Sequence, residues 1–217
     1  MKTALIFANG DIRDGQMVRL ALAQAQAALL IAADGGARVA RHFGITPQVV
    51  IGDMDSIAPE LLAELAAGGS DIRQYPQAKN ETDLELALLY AVEHGARRIR
   101  VIGAVGDRLD QTLSNVYLLA LPALRDCDVR LVAGDEETSL LLPGTVEIDG
   151  SAGDTVSLVP VSGIARGVRT EALVYPLHDE DLLFGPTRGV SNVMDGARAR
   201  VHLREGALIV VHTIGRA

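Results

Sequence analysis

Acidic and basic side chains gather in three short segments of this chain, each placed just beyond an apolar run or at the start of a helical pattern. The first is Gly52-Asp53-Met54-Asp55-Ser56, directly after Val49-Val50-Ile51. In an extended conformation side chains alternate with period two, so Asp53 and Asp55 are expected to point the same way. Two unit charges about 4 Å apart repel by roughly 4 kcal/mol at an effective dielectric of 20. Such a pair favours a cation. Mg²⁺ suits the role, because it takes one or two carboxylates together with waters and substrate phosphates. A polar turn whose carboxylates cap Ser56 and a following helix accounts for the same residues, and the sequence leaves both readings open.

The second segment, Lys79-Asn80-Glu81-Thr82-Asp83-Leu84-Glu85, contains a capping box in Thr82 and Glu85, and an acid in a first helical turn is favoured by the helix dipole. Capping needs neither Lys79, whose ammonium can reach a phosphate as a point charge, nor a further acid at Asp83. The third, Gly103-Ala104-Val105-Gly106-Asp107-Arg108-Leu109-Asp110-Gln111, carries two glycines that permit close backbone approach and an Arg108 suited to clamping a phosphate. It fits neither the Walker A nor the G-x-G-x-x-G spacing. Asn9-Gly10 and Asp34-Gly35-Gly36 are turn dipeptides that recur at two further strand ends. Their convergence carries more than any one of them: four successive strand ends pair Gly with Asn or Asp.

Elements that can position these segments follow from periodicity. Short apolar runs at Thr3–Ala8, Leu29–Ala33, Val49–Gly52, Ile99–Gly103 and Val129–Ala133 predict buried parallel strands. Helical patterns at Gln16–Ala28, Glu81–His94 and Leu109–Leu121 lie between them. Alternating β and α elements predict an α/β domain over residues 1–136, a mostly parallel sheet flanked by helices. Beyond it the pattern becomes short alternating runs, Thr155–Val159, Gly167–Glu171, Val190–Met194, Arg198–Leu203 and Ala207–His212, punctuated by Gly and Pro. Residues 137–217 are accordingly expected to form a smaller all-β domain, an antiparallel sandwich.

Composition narrows the function classes. A net charge of -8 disfavours a general nucleic-acid binder, and 3% aromatic content with no Trp leaves little for base stacking. No apolar run approaches the ~20 residues that span a bilayer, so no membrane role is expected. Cys127 is the single cysteine, which rules out an intramolecular disulfide and multi-cysteine metal sites and suggests the cytoplasm. The histidines, His42, His94, His178, His202 and His212, show no metal-ligand spacing and read as surface or helix-end residues. Lys2 and Lys79 are the two lysines among 20 basic residues, so a Lys within a polar cluster stands out.

Taken as an ordered set, these motifs resemble the thiamine pyrophosphokinase family. The matching segments are Ala33-Asp34-Gly35-Gly36-Ala37, Gly52–Ile57, Lys79–Leu84, Gly106–Gln111, Tyr175-Pro176-Leu177 and Gly189-Val190-Ser191-Asn192. The resemblance implies an enzyme that transfers pyrophosphate from ATP to the hydroxyl of thiamine, giving thiamine diphosphate and AMP, and a homodimer with clefts between subunits. It implies Asp53, Asp55 and Asp83 as Mg²⁺ ligands, with Lys79 and Arg108 on phosphates and Asp110 and Gln111 completing the site. Asn9, Gly10, Asp34, Gly35, Gly36 and Asn80 join these as expected ATP-binding residues. Ser191 and Asn192 match the thiamine-side motif, with Tyr175 as an aromatic surface against thiamine. Many bacterial members resemble Gly-Gly-Arg-x-Asp-His where this chain has Gly106-Asp107-Arg108-Leu109-Asp110-Gln111. Gln111 is similar to the eukaryotic form, whereas Asp107 adds charge and a Cβ near the phosphates. The alternatives are another alcohol diphosphokinase, for instance one using a pterin alcohol, and a non-catalytic Mg-nucleotide sensor. Retention of every charged member of the cluster argues against the sensor.

Overall fold

Strands covered on both faces need apolar residues at consecutive positions, and Ala4-Leu5-Ile6-Phe7 meets that condition; all four are fully buried. The computed structural model describes residues 1–106 and 108–215, so Asp107 of the third motif lies outside the described residues. Contacts divide the chain into Met1–Gly134 and Asp135–Ala217.

The first unit holds a parallel sheet of β1 (Lys2–Phe7), β2 (Ala28–Ala33), β3 (Val49–Gly52), β4 (Asp71–Gln74), β5 (Ala96–Ile102) and β6 (Asp128–Ala133). Their spatial order is β6-β5-β1-β2-β3-β4, with every pair parallel. Its helices are α1 (Gln16–Leu22), α2 (Gly36–His42), α3 (Pro59–Ala67), α4 (Asp83–Glu93) and α5 (Leu109–Tyr117). From β1 the chain proceeds outward through β2, β3 and β4, then crosses back so that β5 flanks β1 on its other side. The reversal between β1 and β5 is the switch point beyond which open α/β sheets place ligands.

Two helices end short of the sequence expectation, and three further elements had no strong signal. The helix expected to reach Ala28 stops at Leu22, and Ala28 opens β2 because it is needed opposite Thr3 in the sheet; strand pairing overrides the local helix propensity of an Ala/Gln-rich run. The helix expected to reach Leu121 ends at Tyr117 and continues as a 3₁₀ turn, Leu118–Ala120. Elements α2, α3 and β4 carry no strong period. β4 is a largely exposed edge strand, Asp-Ile-Arg-Gln, with little apolar signal. Leu61 and Leu65 of α3 pack with Ala32, Val50 and Ile57.

The second unit is all-β: β7 (Glu136–Leu141), β8 (Gly144–Asp149), β9 (Thr155–Pro160), β10 (Ile164–Glu171), β11 (His178–Leu183), β12 (Asn192–Val193), β13 (Arg198–Leu203) and β14 (Leu208–Thr213). Within it the order β12-β9-β14-β7 forms one antiparallel array and β11-β10-β13-β8 the other. Val156, Leu158, Val168, Leu182, Val201 and Val210 share one core between them, the packing of a sandwich. The period-two run of β13 buries Ala199, Val201 and Leu203 and exposes Arg198 and Arg200. Those arginines pair across the strands with Asp149 and Glu147 of β8. The strand expected over Val190–Met194 shrinks to two residues, and β7, β8 and β11 lack a strong apolar alternation.

One histidine contradicts its expected surface position. His212 of β14 is 2% exposed, its Nε2 3.0 Å from Asp154 Oδ2 and its Nδ1 3.7 Å from Glu137 Oε1. Asp154 also accepts hydrogen bonds from the Ser151 and Gly215 N–H groups, tying the end of β14 to the loop before β9. Burial pushes the His212 pKa down, but Glu137 and Asp154 outweigh it and the net shift is upward. A raised histidine pKa stabilises the fold fully below the unfolded value of roughly 6.5 and loses that contribution as pH climbs through the folded value. The thermal stability of the wild-type chain should therefore fall as pH rises above about 6.5, and His212→Gln should flatten this dependence. Parallel pH profiles for the two proteins would show that His212 stays neutral.

Candidate active site

The carboxyl ends of β1, β2, β3 and β5 converge on a cleft of about 470 Å³, within the range of small-molecule sites. Its floor is held by backbone bonds between the loops after β1 and β5: Gly10 N–H donates to Gly103 O (2.7 Å) and Asp11 N–H to Val105 O (2.9 Å). This closeness demands glycine. A Cβ at Gly10 would lie 2.4 Å from Gly103 O, and one at Gly36 would lie 1.9 Å from Phe7 O. Gly36 is thus what lets α2 start against the end of β1. Gly35 abuts the Asn9 side chain, and neither Gly35 nor Gly36 lines the cleft itself. Arg38, which no sequence motif singled out, donates to Asn9 Oδ1 (3.3 Å) and Gly10 O (3.1 Å) and steadies this loop.

Three carboxylates meet inside the cleft. Asp34, Asp53 and Asp83 each offer an oxygen, and these atoms lie within 4.8 Å of one another. Asp34 follows β2 at φ 45°, a left-handed conformation rare for a side-chain-bearing residue. It is 4% exposed; its Oδ2 accepts from Ser56 N–H (3.0 Å) while its Oδ1 is buried without a hydrogen-bond partner. Burial, with some repulsion from Asp83, raises its pKa. Asp83 sits in the first turn of α4, whose Thr82 caps the helix by accepting from Glu85 N–H (3.2 Å), as the capping box predicts.

Lys79 Nζ lies 2.9 Å from Asp83 Oδ1 and 3.5 Å from Asp53 Oδ2. Burial lowers the Lys79 pKa, but the two aspartates outweigh it and keep the ammonium charged. For Asp53, burial raises the pKa, while the Asp55 N–H and Lys79 prevail and draw it down.

Asp55 stands apart from this group. Met54 takes φ 67°, so the chain turns between Asp53 and Asp55 instead of extending. Asp55 is exposed at the cleft wall, accepting from its neighbour's Ser56 Oγ (2.8 Å) and donating its N–H to Asp53 Oδ1 (3.2 Å). The turn thus supplies one deep and one peripheral carboxylate, and it is Asp34, not Asp55, that joins Asp53 and Asp83 in the close group.

The loop after β5 and the start of α5 form another wall. Arg108 and Gln111 line it, with Arg108 held in a fork on Asp110 at 3.2 and 2.6 Å. Asp110 itself is not among the residues lining the cleft, and Asn80 is exposed outside it. Thr112 and Asn115, one and two turns into α5, fasten the loop by bonds to Gly106 and Ala104 O. They carry no motif; only their place on the helix face nearest the loop marks them.

In the second unit, Tyr175 and Asn192 adjoin. Asn192 Nδ2 donates to Tyr175 O (2.7 Å), and its Oδ1 accepts from Tyr175 N–H (3.0 Å) and Val193 N–H (2.9 Å). Asn192 is buried and its amide is occupied by main chain, whereas the Tyr175 side chain is exposed. Asn192 therefore fixes the backbone that presents Tyr175. Ser191 is exposed at φ 59° and donates its N–H to Ser157 Oγ.

Residues 20–131 match the family described as thiamin pyrophosphokinase, catalytic domain, and residues 145–208 match thiamin pyrophosphokinase, vitamin B1 binding domain. Thiamine pyrophosphokinase of Bacillus subtilis (strain 168) is 27% identical over 186 residues, 85% of this chain and 87% of that one. Thiamine pyrophosphokinase 1 of Oryza sativa subsp. japonica is 27% identical over 167 residues, covering 71% of this chain and 62% of the plant protein. A crystal structure of thiamine pyrophosphokinase from Bacillus subtilis superimposes with a TM-score of 0.86 at 27% identity, over 98% of this chain and 99% of that one. With both segments matched in order across more than half of its length, the chain belongs to the thiamin pyrophosphokinase family.

Proposed function

We infer that this chain carries out its family's reaction, ATP-dependent transfer of pyrophosphate to the hydroxyl of thiamine, giving thiamine diphosphate and AMP, and that the strand-end cleft binds ATP with Mg²⁺. The observation that carries this reading is the carboxylate group of Asp34, Asp53 and Asp83, with a buried Asp34 oxygen lacking any partner. Hard oxygen donors crowded around one point fit Mg²⁺, and an orphaned buried carboxylate oxygen is costly unless a cation answers it. Asp53 and Asp83 would hold the ion, with Asp34 beneath them and Asp55 at the rim. Bound there, Mg²⁺ would neutralise phosphate charge in the transition state.

The chain's own residues do the remaining work. Phosphoryl transfer asks for alignment and charge neutralisation more than for covalent chemistry. Arg108, preorganised by Asp110, offers guanidinium N–H groups to phosphate oxygens from the cleft wall, and Lys79 offers an ammonium from beside Asp53 and Asp83. The Asn9-Gly10 loop and Gln111 border the space left for the nucleotide. Tyr175, presented by Asn192 and flanked by Ser191, supplies an exposed aromatic face on which a cationic heteroaromatic such as thiamine can stack.

A homodimer belongs to the same reading. Leu109, Leu113 and Tyr117 form an i, i+4, i+8 stripe along α5 and remain 69%, 46% and 61% exposed, an apolar face suited to a second copy. A cytoplasmic setting fits as well, and among the described residues no helix is long and apolar enough to cross a membrane.

Phosphorus NMR of the protein with ATP, Mg²⁺ and thiamine should show thiamine diphosphate and AMP in equal amounts. ADP with thiamine monophosphate would mean that a different bond is broken, and AMP formed with a pterin alcohol but not thiamine would reassign the acceptor. Asp53→Asn should reduce kcat by roughly 10²-fold or more, by analogy with the loss of other electrostatic stabilisers; near-full activity would remove Asp53 from the site. Tyr175→Ala should raise KM for thiamine while leaving KM for ATP near its wild-type value, and an equal rise in both would dissociate Tyr175 from the acceptor. Leu113→Glu should shift the sedimentation of the wild-type dimer toward monomer, whereas an unchanged dimer would place the contact on another surface.

A further inference from the structure

Lys79 sits among the oxygens that a divalent cation would use. Its Nζ is 2.9 Å from Asp83 Oδ1 and 3.5 Å from Asp53 Oδ2, and its side chain is 12% exposed beside partners at 25% and 13%. The third carboxylate of the group, Asp34, is 4% exposed, offers an oxygen within 4.8 Å of those of Asp53 and Asp83, and keeps its Oδ1 buried without a hydrogen-bond partner. One ammonium therefore answers a cluster of three acids. It answers two of them through ion pairs, while Asp34 has only the Ser56 N–H on its Oδ2.

We propose that Lys79 is a resident counter-ion of this carboxylate cluster, displaced from it by the metal that arrives with the nucleotide and released by that displacement to the nucleotide's phosphates. The inference rests on reading the cleft as a Mg-nucleotide site and adds an order of occupancy to it. Two cations cannot share the same carboxylate oxygens at contact distance without strong repulsion in a partly buried site. A divalent ion takes those oxygens directly, whereas the ammonium holds them as ion pairs at 2.9 and 3.5 Å. Lys has the side chain for the exchange: a compact charge on a flexible four-carbon stem, where Arg would bind carboxylates through a rigid fork. This chain uses Arg almost everywhere else, Lys2 being its only other lysine.

Energetic linkage follows. In the absence of nucleotide, the metal must evict Lys79 into solvent and binds weakly. With nucleotide present, the evicted ammonium gains phosphate partners, so metal and nucleotide each strengthen the other's binding by the same factor. The device keeps the bare site neutralised and couples metal capture to substrate.

The test is Mn²⁺ binding by the nucleotide-free protein, followed by electron paramagnetic resonance. Lys79→Met should bind Mn²⁺ about ten-fold or more tightly than wild type, because a competing unit charge has gone. The factor by which ATP tightens Mn²⁺ binding should shrink in the same variant. Equal or weaker Mn²⁺ binding by Lys79→Met would overturn the proposal and leave Lys79 a fixed structural bridge. Adding Asp53→Asn to Lys79→Met separates the underlying reading. Loss of the Mn²⁺ site places the metal on the cluster, whereas undiminished binding puts the metal elsewhere and sinks the site reading along with the exchange. A measurement on the unmutated chain guards against a misfolded variant. With ¹³Cε-labelled lysine, the protein gives one signal each for Lys2 and Lys79. The Lys79 signal should move when Mg²⁺ and ATP are added together, while Lys2 stays. A Lys79 signal indifferent to both would refute displacement.

Discussion

Like charges held close in a partly buried site must be answered by a cation, and this requirement governs the first unit of the molecule. Asp34, Asp53 and Asp83 bring carboxylate oxygens within 4.8 Å of one another at the ends of β2 and β3 and the start of α4. Each pair at such separations costs a few kcal/mol at intermediate dielectric, roughly 4 kcal/mol at 4 Å. Those acids come from three separate segments, two strand ends and a helix start, so nothing local forces them together; the sheet order does. Lys79 offsets part of the repulsion, and the pKa shifts of Asp34 and Asp53 are opposed because burial dominates at Asp34 whereas the Asp55 N–H, with Lys79, prevails at Asp53. Asp53, beside Lys79, is held in its charged form. Asp34, out of reach of the ammonium, is the acid whose charge burial disfavours.

Holding such a group in place requires a rigid frame, and here the frame is main chain. The β1 and β5 loops bond to one another across the switch point, and Gly10 and Gly36 permit contacts that any Cβ would block. Arg38, Thr112 and Asn115 fasten these loops through backbone carbonyls and the Asn9 amide, outside the carboxylate group. Phosphoryl transfer gains most from alignment, so a cleft whose walls are fixed by main-chain hydrogen bonds is matched to that chemistry. The second unit repeats the principle with different parts. Asn192 gives its whole amide to the main chain around Tyr175, and Asp154 with His212 pins the last strand to a neighbouring loop.

Much of the molecule was legible in its sequence for reasons that act over a few residues. Apolar runs both faces of which are covered gave β1, β2, β3, β5 and β6; a 3.6-residue stripe and a capping box gave α4; a period-two run gave β13. The glycines, the acids and the ordered motifs marked the strand ends and the family. Where signals were weak the elements were weak too: β4 and β11 are edge strands with polar exposed residues, and α2 is seven residues long. The overrun of the first helix shows the limit of propensity, since Ala28 is as good a helix former as its neighbours and becomes a strand residue because Thr3 lies opposite it.

Local periodicity, turn chemistry and motif order are written in neighbouring residues, so the sequence by itself determined the α/β-then-β organisation and the acidic strand ends. Partnerships between residues twenty to sixty positions apart depend on strand order and on backbone torsions, which no short window contains. Only the tertiary structure put Asp34 rather than Asp55 in the inner carboxylate position, because Met54 turns the chain left-handed between the two aspartates of its motif. It alone set Lys79 between Asp53 and Asp83, bound Arg38 to the first loop, and buried His212 against Asp154, 58 residues earlier in the chain.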